Sequence, residues 1–333
     1  MSKPAHAKYI WSKVLDHPAV QAWSQLHPER VRPDWIESLK GRWERTRTST
    51  VYRLAGVGLQ GSDVIAKRCR RACGASERIV YERVLPHLPV PTPHYYGFVE
   101  EPDADFCCLF VEDAGENIYS PEVEEHRTLA ARWVGILHAS AARLNVATCL
   151  PDRGPAHYLA HLRAACGTIL QNMANPALTA DDVEVLKTIV SHCEILASRW
   201  GQVERFCDGV PRTLVHGDFK KNNVRIRANQ GRMQFVAFDW EYAGWGVPAE
   251  DLAALQPTVD MSVYWSVARD HWPHMDFEAA QRLLFVGKVF RCAATIDWET
   301  GKLAYEWVEK PMFRMRFYLS QLGTLLGATA WGS

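Results

Sequence analysis

Apolar positions in the first forty residues recur at intervals of three and four and are interrupted by prolines. Trp11, Val14, Leu15, Val20, Trp23 and Leu26, then Trp35, Ile36 and Leu39, predict two or three short amphipathic helices broken near Pro18, Pro28 and Pro33. From Trp43 the period becomes that of strands. Val51-Tyr52-Arg53-Leu54 and Val64-Ile65-Ala66-Lys67 are short strands joined across a glycine-containing turn over 56–61. A helix is expected between residues 75 and 85, where Val80, Tyr81, Val84 and Leu85 share one face. Residues 106–111 form another mostly apolar strand. Beyond Pro121 helical spacing dominates: Leu129, Trp133, Ile136 and Leu137 mark one helix, and others run over 158–173 and 181–200, the last opened by Thr179 as N-cap. Short apolar runs at 213–215, 224–226 and 235–238 read as strands, and past Asp251 the chain is helical again.

Two places in this pattern carry charge where an apolar residue is expected. Glu77 lies on the apolar stripe of the 75–85 helix, and an unpaired buried carboxylate is costly, so it calls for a cation. Lys67, at the end of Val-Ile-Ala-Lys, is the natural partner, and that tetrapeptide is close to the kinase Val-Ala-Ile-Lys that meets the ATP phosphates. Glu82 is rotated off the stripe and reads as solvated. The second place is the polar loop between the runs at 213–215 and 224–226, which holds His216-Gly217-Asp218 and Asn223. Asp239 emerges at the end of the following strand. On its own, an H-x-D in a polar loop is a turn with the Asp bonding its own backbone. The spacing H-x-D-x-x-x-x-N, however, equals that of the kinase catalytic loop, in which the Asp accepts the hydroxyl proton and the Asn holds magnesium. Magnesium prefers oxygen donors and keeps waters, so Asn223, Asp239 and the phosphates of ATP make a suitable octahedral set.

The set His216-Gly217-Asp218, Asn223, Asp239-Trp240-Glu241, Gly246 and Asp251-Leu252-Ala253 resembles the signature of the aminoglycoside phosphotransferase and choline kinase family. The resemblance implies an α+β, two-lobed, protein-kinase-like fold with an antiparallel sheet in a small N-terminal lobe and a larger, mostly helical C-terminal lobe. It implies transfer of the γ-phosphoryl of ATP to a small-molecule hydroxyl acceptor, with Asp218 as the catalytic base. The corresponding division is a helical extension over 1–42, a nucleotide-binding lobe over 43–112 and a catalytic and substrate-binding lobe over 113–333. Backbone groups near Glu112 and Ala114 are then expected at the adenine, and Asp251 is expected to brace the catalytic loop. Ser49-Thr50-Val51-Tyr52-Arg53 is similar to the family's nucleotide loop, which implies phosphate contacts for Ser49 and Thr50. No G-x-G-x-x-G is present, so a plain hairpin turn remains open there. Phe219-Lys220-Lys221-Asn222 departs from the family's Leu-His-Pro-Gly filler, leaving the metal logic intact while bearing on how substrate is approached. His138 reads as a satisfied core histidine rather than a catalyst.

Composition adds mainly exclusions. The 333 residues suffice for one large or two modest domains, and 47% hydrophobic with 23% charged residues describes an ordinary soluble protein. With 38 basic and 38 acidic residues the formal charge is zero, so nothing points to a nucleic acid or an anionic membrane surface as partner. The N-terminus lacks an apolar run and no stretch approaches a membrane span, which gives a cytoplasmic expectation. The nine scattered cysteines, with no C-x-x-C pair, read as reduced core thiols. Lys67-Arg68-Cys69-Arg70-Arg71 reads as a solvated strand end with a phosphate role for one member.

No motif marks the acceptor. Asp297-Trp298-Glu299, Glu306 and Glu309 suit a polyamine-like or quaternary ammonium acceptor, against the plain reading as solvated helix faces and core tryptophans. Three rival functions can be weighed. A nucleotide-binding pseudokinase with a regulatory or assembly role usually lacks one of the residues Lys67, Asp218, Asn223 and Asp239, all present here. A protein kinase is opposed by the missing glycine-rich loop, by Asp-Trp-Glu in place of Asp-Phe-Gly and by the absence of Ala-Pro-Glu. A metal-dependent hydrolase explains neither Asn223 nor Lys67.

Overall fold

The computed structural model describes residues 14–29, 32–39, 49–101, 105–229, 231–255 and 258–328. Trp11, Trp43, the polar residues 45–48 and Trp331 lie outside them. The chain divides into two compact units, the first formed by Met1–Tyr119 and Lys221–Ala243, the second by Ser120–Lys220 and Gly244–Ser333.

The first unit is built on five antiparallel strands, β1 (Ile36–Ser38), β2 (Ser49–Leu54), β3 (Val64–Arg70), β4 (Tyr95–Glu100) and β5 (Phe106–Glu112), in spatial order β1-β2-β3-β5-β4. Helix α1 (Pro18–Leu26) starts with His17 as its cap and Pro18 in the first turn, where a missing N–H costs nothing. Its Ala19, Val20 and Trp23 join a core with Ile36, Leu54, Val64, Ala66 and Phe110. Side chains alternate along a strand, so the face of β3 carrying Val64 and Ala66 is covered by α1 while Lys67 faces the other way. Helix α2 (Arg71–Ile79) packs on that other face. Its Gly74 is required, because a Cβ there would sit 2.4 Å from the Cys107 sulfur. The backbone then widens into a π-type turn over Val80–Val84, keeping Val80, Tyr81 and Val84 buried. A hairpin of Val224–Asn229 and Arg232–Ala237 completes this unit and is tied to it by the Ile226 N–H donating to the Asn117 carbonyl at 3.0 Å.

One expected helix is absent. Trp35, Ile36 and Leu39 were spaced for a helix, but Ile36–Ser38 is an edge strand paired antiparallel with β2, extended by the Ala55 and Leu39 amides donating to Trp35 and Val51 carbonyls. A run this short after Pro33 cannot nucleate a helix, whereas the open edge of β2 offers ready-made partners. The basic run also differs from a plain solvated end. Lys67 is buried, Arg68 forks onto Glu101 at 2.6 and 2.7 Å, and Arg70 and Arg71 pair with Asp105 and Glu100. All nine cysteines are unbridged.

The second unit is helical, with α3 (Glu124–Ala141), α4 (Pro155–Asn172), α5 (Ala180–Ser198), α6 (Trp200–Asp208), α7 (Ala249–Ala254), α8 (Met261–Ala268), α9 (Phe277–Thr300) and α10 (Glu309–Leu326), plus a small sheet of Asp152–Arg153, Gly244–Gly246 and Thr213–Val215. Thr179 caps α5 in a reciprocal box with Asp182. Helix α9 is the hub, packed on α4, α7 and α10. Its approach to α7 is close enough that a Cβ on Gly287 would lie 1.9 Å from the Ala249 carbonyl oxygen. Among the described residues no helix is long and apolar enough to cross a membrane.

Candidate active site

In the first unit, β3 delivers Lys67 to the α2 side of the sheet, where its ammonium donates to Glu77 Oε2 at 2.8 Å. Glu77 is anchored at its other oxygen by the Trp240 N–H at 3.1 Å, which fixes α2 against the segment leaving the hairpin. Asp239 begins that segment with φ +71°, a left-handed conformation that a short polar side chain tolerates better than most. Its carboxylate also accepts from Lys67, and Glu241 lies 2.9 Å from the same ammonium. Three carboxylates thus surround one cation, leaving two negative charges in excess. Burial alone would push the Lys67 ammonium down, but Glu77, then Asp239 and Glu241, outweigh it and hold it well above the usual lysine value. Burial pushes the Glu77 carboxyl up, partly opposed by Lys67 and reinforced by Asp239. Asn223 is buried in a short 3-10 turn before the hairpin, and its carbonyl accepts from the Phe238 N–H at 3.0 Å, linking the start of the hairpin to the residue before Asp239.

The remaining first-unit candidates fall as follows. Val51 is the cross-strand partner of Lys67, so Ser49, opposite Cys69, shares the Lys67 face and Thr50, opposite Arg68, points to the other. Glu112 ends β5 with its carboxylate held by Arg227 and by the His94 N–H at 3.1 Å, and its own N–H donates to the His94 carbonyl. Ala114 is buried two residues later, and neither its N–H nor its carbonyl has a hydrogen-bond partner among the described residues.

In the second unit the catalytic-type loop is clamped from behind. Asp251, at 0% exposure, accepts from the His216 and Gly217 amides at 2.7 and 3.0 Å and lies 3.2 Å from His138 Nε2, whose other nitrogen meets the Tyr264 hydroxyl. Burial would raise the Asp251 carboxyl, but His138 and the His216 amide hold it below the usual value. Both residues are therefore structural, bracing the loop. Gly217 has φ +74°, which explains the glycine between His216 and Asp218. Phe219 stacks on Trp133 of α3 with centroids 5.8 Å apart.

Asp218 itself is 4% exposed and flanked by cations: Lys220 Nζ lies 2.5 Å from Oδ2 and Arg291 Nη1 lies 3.8 Å from Oδ1. Arg291 comes from α9 one turn beyond Gly287, and its Nη1 also donates to Glu250 at 3.0 Å. Burial pushes the Glu250 carboxyl up to about 7 despite Arg291. Sequence reasoning gave no role to Glu241, Lys220, Glu250 or Arg291. The first two stand inside the motif region and were readable as an Asp-x-Glu and as a departure in the loop filler. Glu250, next to Asp251, carried only a weak signal, and nothing in the sequence pointed to Arg291.

Among the described residues no group of three or more His, Cys, Asp or Glu is arranged to hold a metal ion. A magnesium held by Asn223 and Asp239 does not need one, since this ion keeps waters and takes phosphate oxygens alongside one or two protein carboxylates. The donor types and the excess negative charge around Lys67 fit such an ion.

A kinase-like α+β fold with this motif set defines a class, and the comparisons agree. Residues 41–286 match the phosphotransferase enzyme family, and the chain belongs to it. Its fold is similar to the crystal structures of a choline kinase from Cryptosporidium parvum Iowa II (TM-score 0.59, 12% identity, covering 87% of this chain and 90% of that one) and of a spectinomycin phosphotransferase, APH(9)-Ia, with ADP and spectinomycin (0.57, 9%, 93% and 98%). It is also similar to a thermostable mutant of the aminoglycoside phosphotransferase APH(4)-Ia in its apo form (0.54, 14%, 92% and 98%). No curated protein matches the sequence.

Proposed function

We propose that this chain binds ATP with magnesium and transfers the γ-phosphoryl to a hydroxyl of a small molecule. The observation that carries this reading is the Lys67 cluster, an ammonium fixed by Glu77 and shared with Asp239 and Glu241. In phosphoryl transfer the protein mainly positions groups and neutralises charge. Lys67 meets the α- and β-phosphates, and Asn223 and Asp239 hold the magnesium, which supplies neutralisation of phosphate charge. The Glu112 carbonyl and Ala114 N–H receive the adenine edge, a role that suits the unpartnered backbone of Ala114. Ser49, on the Lys67 face, and the backbone at Thr50 serve the phosphates. Asp218 accepts the acceptor's proton from a loop that Asp251 holds in place. Nucleotide use is supported by the neighbouring folds, which include complexes with ADP and with GDP.

Calorimetric titration of magnesium-ATP into the wild type and Asp239→Ala tests the nucleotide half. Affinity is expected to fall at least about tenfold in the variant, and equal affinity removes Asp239 from the metal. Phosphorus NMR of ATP with aminoglycosides, choline-like amines, sugars, nucleosides and hydroxy acids then tests transfer. Tight nucleotide binding with no phosphorylated product from any of them favours the pseudokinase alternative.

A further inference from the structure

Two of the acids expected to receive a polyamine or quaternary ammonium already have partners within the second unit. Asp297 is bonded by His161 at 2.7 Å and Glu299 is held by Lys302 and Arg314, while Glu306 and Glu309 are exposed. The groups that flank Asp218 have the opposite sign.

We infer that Arg291 and Lys220 form an oxyanion-recognising pair beside Asp218, so that the acceptor carries a carboxylate or phosphate group next to its reacting hydroxyl. This deepens the phosphotransferase reading and relies on it only for the fate of the bound hydroxyl. The donors are there. A guanidinium has five N–H groups in a planar fork suited to carboxylate and phosphate. Arg291 uses Nη1 on Glu250, while Nε and Nη2 make no hydrogen bond among the described residues although the side chain is only 22% exposed. Lys220 has three N–H groups, one directed at Asp218, and is 42% exposed. Arg291 is held in place by more than charge: Glu250 anchors it, and Trp298 lies with its ring centroid 5.9 Å from the guanidinium carbon.

The local charge agrees. Asp218 and Glu250 face Arg291 and Lys220, two of each sign. Burial pushes the Glu250 carboxyl up to about 7, so near neutral pH it offsets less than a full charge of Arg291. Tyr318 also acts on Arg291, and Asp251 adds an anion beside Glu250, but its oxygens are taken up by the His216 and Gly217 amides and by His138. An ammonium beside the reacting hydroxyl meets like charge here, whereas an oxyanion finds unused donors.

The test uses four small probes that share a hydroxyl: glycerate, glycerol 3-phosphate, glycerol and choline. Each is titrated into the full chain saturated with magnesium-ADP, with binding read by saturation-transfer NMR. Glycerate, glycerol 3-phosphate or both are expected to bind at least about tenfold more tightly than glycerol or choline. Which of the two binds decides between carboxylate and phosphate. Arg291→Met, made together with Glu250→Gln so that Glu250 is not left an unpaired buried carboxylate while Asp218 keeps Lys220, is expected to abolish the preference, Glu250→Gln alone to keep it, and Arg291→Lys with Glu250→Gln to restore part of it. Lys220→Met, on the exposed side, provides a variant whose folding is not at stake and is expected to weaken the anions by a smaller factor. Equal or tighter binding of choline, no saturable binding of either anion, or a preference that survives loss of both cations overturns the inference. Arg291-dependent anion binding with no phosphorylated product from any acceptor of the panel sinks the phosphotransferase reading and leaves the oxyanion pair standing. Phosphorylation of choline does the reverse.

Discussion

The clusters around Lys67 and around Asp218 use the same ingredients in opposite proportion. At Lys67 three carboxylates share one ammonium, whereas at Asp218 two cations flank one carboxylate, with Glu250 as a partly protonated fourth member. Under the proposed function the surplus of negative charge at the first cluster would suit a divalent cation and, through it, a triphosphate. On the same proposal the second would restrain Asp218 as general base, with spare donors on Arg291 and Lys220 left for a substrate. Electrostatic stabilisation in catalysis depends on such preset charge, because little reorganisation is then needed at the moment of reaction.

If the two clusters have these separate tasks, breaking each gives a separate failure. The largest effect is expected from Asp218→Ala, which leaves nucleotide binding intact and lowers turnover by at least about two orders of magnitude. Steady-state kinetics beside nucleotide titration measures both, and full turnover removes Asp218 from the base role. Lys67→Met comes next. Deleting the cation from a buried pair leaves Glu77 and its neighbours uncompensated, at a cost of about 3 to 5 kcal/mol. Carboxyls whose folded pKa is raised stabilise below their unfolded pKa and lose that contribution as pH rises. Thermal melts of this variant should therefore show a larger deficit at pH 8 than at pH 5, and a pH-independent deficit argues against the ionic account.

Glu250→Gln is the smallest and most specific test. The folded carboxyl titrates at about 7 against an ordinary 4.5, so its contribution to stability is complete below 4.5 and is lost as pH rises through 7. The difference amounts to about 3 kcal/mol at most. Denaturant titrations across that window should slope downward in the wild type and be flatter in the variant. Equal slopes place the titrating group elsewhere.

Much of the first cluster was legible because its parts are local or periodic. Lys67 ends a strand, and Glu77 interrupts an apolar stripe ten residues later, so burial logic alone pairs them, as the 2.8 Å contact shows. The role of Asp251 came from a family position and is visible as two amide hydrogen bonds. The edge strand β1 was misread as helical because three apolar residues fit either period, and only the neighbouring strand chooses between them. The acidic residues of α9 looked available for a cationic substrate since sequence does not reveal that His161, Lys302 and Arg314 reach them.

The sequence by itself determined which chemical groups stand at fixed short spacings, from His216 through Asn223 to Asp239, since the chain between them is too short to allow many arrangements. It also determined the strand and helix periods that carry Lys67 and Glu77. Only the tertiary structure decided the surroundings of Asp218, because Arg291 reaches it through the close α7–α9 contact that Gly287 permits. Charge acts through space, and residues far apart in sequence set the sign of the field where a substrate must bind.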